Sequence, residues 1–559
     1  MKEIEILLSK VYRPDDISII LNGIENLLEK YNYIKKSIVE TKLTEKDVVL
    51  ITYGDQVYKK GKAKLQSLNQ LLLEQLKEEI SIVHILPFFP YSSDDGFSVI
   101  DYYKVNTELG DWKDIESISH NFNLLFDAVI NHSSQYCEWF IKFLNNEEDY
   151  KEFYIEMDDS SAYKDVVRPR ISPLSHSYKG KSGSKEVWTT FSRDQVDLNF
   201  KNPKVLLQIL DLLLFYILEG ARIIRLDAVG FLWKEKYTTC IHLPQTHLLI
   251  KVIRKVIEKI SSSVLILSET NVPHLENISY FSNGDEAHMV YNFTLPPLLA
   301  FSILSGSTKK LTEWAKSLVL PFSNVCYFNF LASHDGIGLR PVDNILTEEE
   351  LSLLVDSAKA NGGLISCKSN PDGKQSPYEI NCNYFSLLKG LKKEENLGIR
   401  RSILAHAVLL AMPGLPAIYF HSMFGSENDL EGVKKSGINR RINREKFEYG
   451  YLNKILENSS SRQVQILDYL KKLILIRKRE PAFNPYSAFA VNRPDRGIFH
   501  IQRTSQDGDC VVDAYFNLGQ DTTQIKLNYL EEKADLISGK IYKNILYLNS
   551  LDFVWLKIK

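Results

Sequence analysis

Several short stretches of this chain end an apolar run with residues able to do proton-transfer and nucleophilic chemistry. In "ARIIRLDAVGF", residues 221 to 231, Arg225 and Asp227 are two apart, so on a strand both point to one side together with Ile223. Burying such charges costs several kcal/mol each unless they are paired and hydrogen-bonded. The spacing therefore predicts that Arg225 holds the Asp227 carboxylate ionised and aimed, the state a nucleophile needs. Glu269 follows "VLILS" with no cation beside it in sequence, so desolvation would keep it protonated and fit it for general acid work. "DAVINH" adds Asp127, Asn131 and His132, and "ASHD" adds His334 and Asp335. Displacement at a sugar's anomeric carbon with retention calls for such a set: one carboxylate as nucleophile and a second carboxyl as acid and then base, about 5 to 5.5 Å away. Each residue alone has a plainer reading, as a satisfied histidine, a structural ion pair or a loop cap; carboxyls at the ends of three separate strands favour the catalytic one.

The elements that must bring these residues together are legible as alternation. Eight apolar runs, "VVLITYGDQ", "IVHILPFFPYSSDDGF", "LLFDAVINHSS", "ARIIRLDAVGF", "VLILSETN", "HMVYNFTLPP", "VCYFNFLASHD" and "LPAIYFHS", are separated by segments of helical period such as "PKVLLQILDLLLFYILEG". Continuous apolar strands alternating with helices mark a parallel sheet covered on its outer face. Eight such units predict an α/β fold, a closed (β/α)8 TIM barrel, with an open sheet as the alternative. In a barrel the strand ends converge on one face, where one pocket would collect residues distant in sequence.

Residues 1–45 have helical spacing and no strand-like run, predicting an N-terminal helical extension before the barrel, which occupies 46–132, 200–335 and 398–484. Two connections are too long for simple βα loops: 133–199 after the third strand and 336–397 after the seventh, both insertions at the same end of the barrel. From 485 to 559 short alternating runs such as "GIFHIQRT" and "CVVDAYFNL" predict an antiparallel β domain.

Composition excludes several classes. A net charge of -2 with acids and bases interspersed gives no field for nucleic acid or an anionic membrane, so small-molecule partners are expected. The six cysteines have no C-x-x-C or metal-ligand spacing, and the opening "MKEIEILLSK" has acids in its only apolar patch, so a cytoplasmic protein is expected. No phosphate-cradling glycine loop is present, and no cofactor or metal is expected.

The set "DAVINH", "RIIRLDAVG", "LSET" and "ASHD", in this order, resembles the four signature regions of glycoside hydrolase family 13, the α-amylase-like enzymes. The resemblance implies Asp227 as nucleophile, Glu269 as acid/base, Asp335 as the third carboxylate that distorts the donor ring, and Arg225, His132 and His334 as sugar-binding residues. Within the family, "HILPFFP", "DDGFSVIDY", "RPR", "VWTTFSRDQVDLNF", "SHDGIG" and "GINRRINRE" are similar to the sucrose phosphorylase group. That likeness implies that Asp94 and Arg440 grip the far edge of the glucosyl unit, with Phe97 also substrate-binding, and that Arg170 and Tyr378 contact phosphate. Glu379 stands where that group carries Gln, Phe231 where it carries Tyr, and residues 1–45 are additional. The extension with "DVVLITYGDQ", "CIHLPQTHLLIK", "ETNVPHLENISYF", "DEAHMVYNF" and "SPYEIN" resembles the glucosylglycerate phosphorylases of the same subgroup over essentially the whole chain. This implies reversible phosphorolysis of 2-O-α-D-glucosyl-D-glycerate to α-D-glucose 1-phosphate and D-glycerate by a retaining double displacement, with Arg170, Tyr378, Glu379 and Phe231 around phosphate or acceptor. Asn131 is then structural. The alternatives are a sucrose or sucrose 6'-phosphate phosphorylase, an α-glucosidase or transglucosidase, and a non-catalytic sugar-binding barrel.

Overall fold

All eight apolar runs are strands of one closed parallel barrel: β1 (Val49–Thr52), β2 (Ile82–Ile85), β3 (Asn123–Ala128), β4 (Ala221–Leu226), β5 (Leu265–Ser268), β6 (Met289–Tyr291), β7 (Cys326–Asn329) and β8 (Leu415–Tyr419). The computed structural model describes residues 1–33, 42–158, 160–168, 172–369, 375–492 and 497–559. Each strand pairs with the next and β8 closes on β1. Nearly every strand residue is buried, because side chains fill the barrel on one face and helices cover the other. Register places Asp127 directly beside Arg225, and Arg225 beside Leu267, so two charged residues meet in the barrel interior at the outlet end.

The N-terminal extension folds as α1 (Lys2–Leu8) and α2 (Pro14–Lys30), which add a layer outside two barrel helices, α3 (Pro203–Leu218) and α4 (Pro244–Ile260). Pro203 and Pro244 occupy first-turn positions where the missing N–H costs nothing, and the Asn202 side chain accepts from the Lys204 N–H at 2.9 Å. The α2 layer is fastened at Asp211, which takes Lys30 at 2.6 Å, Tyr31 at 3.1 Å and Tyr103 at 2.8 Å. Tyr12 donates to the Phe200 carbonyl at 2.7 Å and meets the Trp233 ring edge-on at 6.0 Å.

The connection after β3 forms a hairpin, Ser175–Gly180 with Gly183–Trp188, and a two-residue strand, Val196–Asp197, antiparallel to His132–Ser133. The connection after β7 forms a helix, Glu348–Ala360, and the strands Leu364–Ser369 and Gln375–Asn381, the second of which pairs with Ile337–Gly338. The chain ends in a six-stranded antiparallel sheet and a two-stranded ribbon. Buried Arg503 joins that sheet to the barrel by donating to the Ala411 and Met412 carbonyls at 3.0 and 2.8 Å, at the C-terminal end of helix Glu395–Ala411, where a cation meets the negative end of the helix dipole. Among the described residues, no helix is long and apolar enough to cross a membrane.

Asp197 is the anchor of the first insertion. Its carboxylate accepts from the Thr190 N–H and hydroxyl, both at 2.7 Å, from Asn131 at 3.0 Å and from the buried Lys234 ammonium at 2.7 Å; Lys234 also donates to Asn131 Oδ1 at 2.8 Å. Asn131 is thus held in a closed polar network around a fixed cation. Lys234→Met leaves Asp197 as an uncompensated buried charge, a loss of about 3–5 kcal/mol. The expected result is a melting temperature lower by several degrees and faster proteolysis within residues 133–199; a variant that melts with the wild type contradicts the anchoring role.

Candidate active site

At the outlet of the barrel one buried guanidinium organises three carboxylates. Arg225 pairs with Asp127, its neighbour in register, through Nη1, which also lies 3.0 Å from Asp227 Oδ1; its Nη2 is 4.0 Å from Glu269 Oε2. Asp127 is completely buried, and its second oxygen takes His84 Nε2 at 2.7 Å. Arg225 and His84 together outweigh burial and hold the Asp127 carboxyl down at about 2. The arginine therefore differs from the sequence expectation: its closest charge partner is Asp127, and Asp227 shares it. Burial, with the charges of Glu269, Asp127 and Asp335, pushes the Asp227 carboxyl well above the ordinary range despite Arg225. Burial and the charge of Asp335 likewise raise Glu269. A guanidinium already committed to Asp127 cannot hold both ionised, and the two carboxyls share their protons as a pair, Asp227 raised the more strongly and Glu269 drawn down in part by the Ala228 N–H.

Backbone strain sits beside this pair. Ala228 has φ 49°, a left-handed conformation that costs a non-glycine residue about 1–2 kcal/mol, and its N–H donates to Glu269 Oε2 at 2.9 Å. The residue after Asp227 thus orients the carboxyl from the neighbouring strand. Asp94 and Asp95 are also left-handed, with φ 53° and 48°, and fully buried Arg444 holds them in place: it takes Asp95 at 2.6 Å and donates to the His334 carbonyl at 2.8 Å.

The third carboxylate is bound differently. Arg440 donates to Asp335 through Nη1 and grips Glu379 with two bonds, Nε at 3.1 Å and Nη2 at 2.6 Å. Arg440, His334 and Arg444 hold the Asp335 carboxyl far below its usual value. Glu379 comes this close because residue 336 is glycine: a Cβ there would stand 2.4 Å from Glu379 Cγ. The Phe97 ring stacks on His334 at 4.6 Å and lies under Arg225 at 5.6 Å. His132 Nε2 lies 3.0 Å from the Phe97 carbonyl and 3.2 Å from Gln195 Nε2, and Gln195 Nε2 also reaches Asp94 Oδ2 at 3.4 Å.

One cavity collects these groups. Asp94, Phe97, His132, Arg225, Asp227, Phe231, Glu269, His334, Asp335, Tyr378, Glu379 and Arg440 all line it; Arg170 lies outside the described residues. Arg440 reaches Asp335 and Glu379, while Asp94 is met by Gln195, so the two residues expected to grip one sugar edge hold separate partners. Arg168, beside Arg170, donates to Ser172 Oγ at 3.3 Å. The sequence reading missed Phe191, Gln195, His242, Asn271 and Arg340 in the wall, and His84, Asp95 and Arg444 behind it. "DDG" signals a tight turn, and "RRINRE" has more arginine than a surface loop needs; His84, inside an apolar strand, gave the clearest missed signal of a buried partner.

Raised carboxyls make a signed prediction. Asp227 and Glu269 hold protons more tightly in the folded than in the unfolded protein, so stability is lost as pH rises from the ordinary carboxylate range through the raised values. Glu269→Gln removes one of the two acids. It is expected to melt above the wild type at pH 8, with the gap narrowing toward pH 5; a gap independent of pH, or of opposite sign, contradicts this origin.

Comparison with known proteins places the arrangement in a family. The model of the alpha amylase catalytic domain matches residues 72–337. The chain is 43% identical to a glucosylglycerate phosphorylase of Escherichia coli, over 92% of each chain. It is 47% identical to a glucosylglycerate phosphorylase of Spirochaeta thermophila, over 83% of this chain and 79% of that one. Among solved structures, the sucrose 6F-phosphate phosphorylase of Thermoanaerobacter thermosaccharolyticum superposes with a TM-score of 0.75 at 24% identity, over 90% of this chain and 99% of that one, a likeness of fold. With such identity along nearly its whole length, and a barrel whose outlet gathers the signature carboxyls, the chain belongs to the glucosylglycerate phosphorylase family of α-amylase-like enzymes.

Proposed function

We propose that this chain catalyses the reversible phosphorolysis of 2-O-α-D-glucosyl-D-glycerate, giving α-D-glucose 1-phosphate and D-glycerate. The observation that carries the reading is the convergence of Asp227, Glu269 and Asp335, from the ends of β4, β5 and β7, on one cavity in a chain 43% and 47% identical to two glucosylglycerate phosphorylases. The reaction runs as a double displacement. Asp227 attacks the anomeric carbon while Glu269 gives its proton to the leaving glycerate oxygen; a phosphate oxygen then attacks the glucosyl–Asp227 ester, with Glu269 taking a proton back.

Contact geometry supports this division of roles. Arg225 lies 3.0 Å from Asp227 and 4.0 Å from Glu269, so it can offset charge on the nucleophile more directly than on the acid, although burial and the neighbouring carboxylates raise Asp227 the more strongly of the two. The bond from the Ala228 N–H at 2.9 Å fixes the direction of the acid. Asp335, ionised by Arg440, would stabilise positive charge developing on the sugar ring. The Phe97–His334 stack and His132 supply a flat apolar wall and a polar edge for one glucosyl unit. Tyr378, Phe231 and Glu379 line the cavity, where Tyr378 would meet phosphate and the other two the acceptor; a phosphate contact for Arg170 rests on the likeness of the "RPR" segment to the sucrose phosphorylase group. The partners are small molecules, and a cytoplasmic setting, where phosphate is plentiful, suits the reaction.

Phosphate-dependent release of glucose 1-phosphate from glucosylglycerate, with none from sucrose, is the expected assay result; free glucose as the main product would place the chain among the hydrolases. Asp227→Asn is expected to lower kcat on the order of 10⁴-fold while leaving the melting temperature at or above that of the wild type. A comparable loss of folding would mark Asp227 as structural instead.

A further inference from the structure

The cavity has a charge problem that its described residues solve at only one place. Five carboxyls line it, Asp94, Asp227, Glu269, Asp335 and Glu379, against three guanidiniums, Arg225, Arg340 and Arg440. Two of those cations are spent: Arg225 on Asp127 and Asp227, and Arg440 through all three of its nitrogens on Asp335 and Glu379. Arg340 is held loosely. Its ion pair is to Glu276 at 3.7 Å, beyond hydrogen-bond reach, and that carboxylate is itself half exposed.

The surroundings of Arg340 are built to present it. It opens the short helical turn Arg340–Val342 that follows β7, and the preceding Leu339 N–H donates to the Tyr378 carbonyl at 3.0 Å, tying it to the loop that carries Tyr378 and Glu379. Glu276 also faces His242, whose Nε2 lies 3.4 Å away and whose Nδ1 meets the Tyr280 hydroxyl at 2.6 Å. Asn271, two residues after Glu269, lines the same wall; its Oδ1 is buried with no hydrogen-bond partner among the described residues. Gly338 leaves room for that amide, since a Cβ at 338 would stand 2.5 Å from Asn271 Nδ2.

Resting on the phosphorolysis proposed above, we infer that Arg340 is the specificity-determining residue that recognises the anionic part of the acceptor. The two acceptors share one feature: each carries negative charge close to the oxygen that bonds the anomeric carbon, on carboxylate oxygens two atoms removed in glycerate and on non-bridging oxygens one atom removed in phosphate. A group that binds this feature has to be a cation beside Glu269 with donors to spare, and a planar guanidinium matches carboxylate and phosphate alike. Glu276 then holds Arg340 in place between turnovers and yields it to the incoming anion. Neutral acceptors gain nothing from the residue.

The test uses the full chain with Arg340→Gln and Arg340→Lys. Three reactions are compared: transfer from glucose 1-phosphate to D-glycerate, phosphorolysis of glucosylglycerate, and hydrolysis of α-glucosyl fluoride, whose leaving group has neither carboxylate nor phosphate. Arg340→Gln is expected to raise KM for D-glycerate, for phosphate or for both at least tenfold, with kcat altered less than threefold. Its fluoride hydrolysis should suffer at least ten times less, and Lys should restore part of the loss. The acceptor whose KM moves identifies the anion that Arg340 binds. Unchanged KM for both anions, or an equal loss in all three reactions, overturns the inference. A wild-type protein that makes no glucose 1-phosphate from glucosylglycerate refutes the parent reading instead, and is told apart because it needs no variant.

Discussion

A guanidinium enclosed in a barrel must be neutralised where it stands, and Arg225 sets the terms for everything around it. Its register partner Asp127 supplies the permanent counter-charge, secured from behind by His84. What remains of its field is shared unequally between Asp227 at 3.0 Å and Glu269 at 4.0 Å. Both carboxyls are raised by burial and by neighbouring carboxylates, and they sit at unequal distances in the one field that opposes this. In the reaction proposed above, that difference in distance would help to separate a nucleophile from a proton donor. The arrangement is tolerable only because the strands holding it are buried on both sides and cannot drift.

A second layer of arginines does for the loops what Arg225 does for the strands. Arg440 bridges Asp335 at the end of β7 to Glu379 in the following insertion, and Arg444 bridges the left-handed turn at Asp94 and Asp95 to the His334 carbonyl. Loops that carry binding groups are the least stable parts of most folds. Here buried charge adds to the apolar contacts made by Phe97, Leu339 and Ile380. The strained backbone at Asp94, Asp95 and Ala228 persists because ion pairs and a directed hydrogen bond surround it.

The eight strands were legible in the sequence as continuous apolar runs with helices between them, which favoured a closed barrel over an open sheet, and the structure shows the closure. The carboxyls were legible for the same reason: a charged residue at the end of a buried strand is conspicuous. Their protonation was not. The spacing of Arg225 and Asp227 suggested a private ion pair, whereas Asp127, almost a hundred positions earlier, is the nearer partner, and only register reveals it. The wall residues Gln195, His242, Asn271 and Arg340 were invisible because they come from loops, whose paths follow no periodicity. Arg444 was within reach, as one of several arginines in a short segment, but nothing local says which of them is buried.

The Lys234 ammonium, set between Asp197 and Asn131, occupies a position whose oxygens could otherwise hold a metal ion. A carboxylate and an amide carbonyl turned toward one point, as Asp197 and Asn131 are toward the Lys234 ammonium, are also donors for a hard divalent ion, and an exchangeable ion would be in equilibrium with the medium. An enzyme whose co-substrate is orthophosphate works in a solution that sequesters such ions by complexation and precipitation. A cation grown on the polypeptide has no off-rate, so the brace between insertion and barrel stays indifferent to the phosphate level that drives turnover.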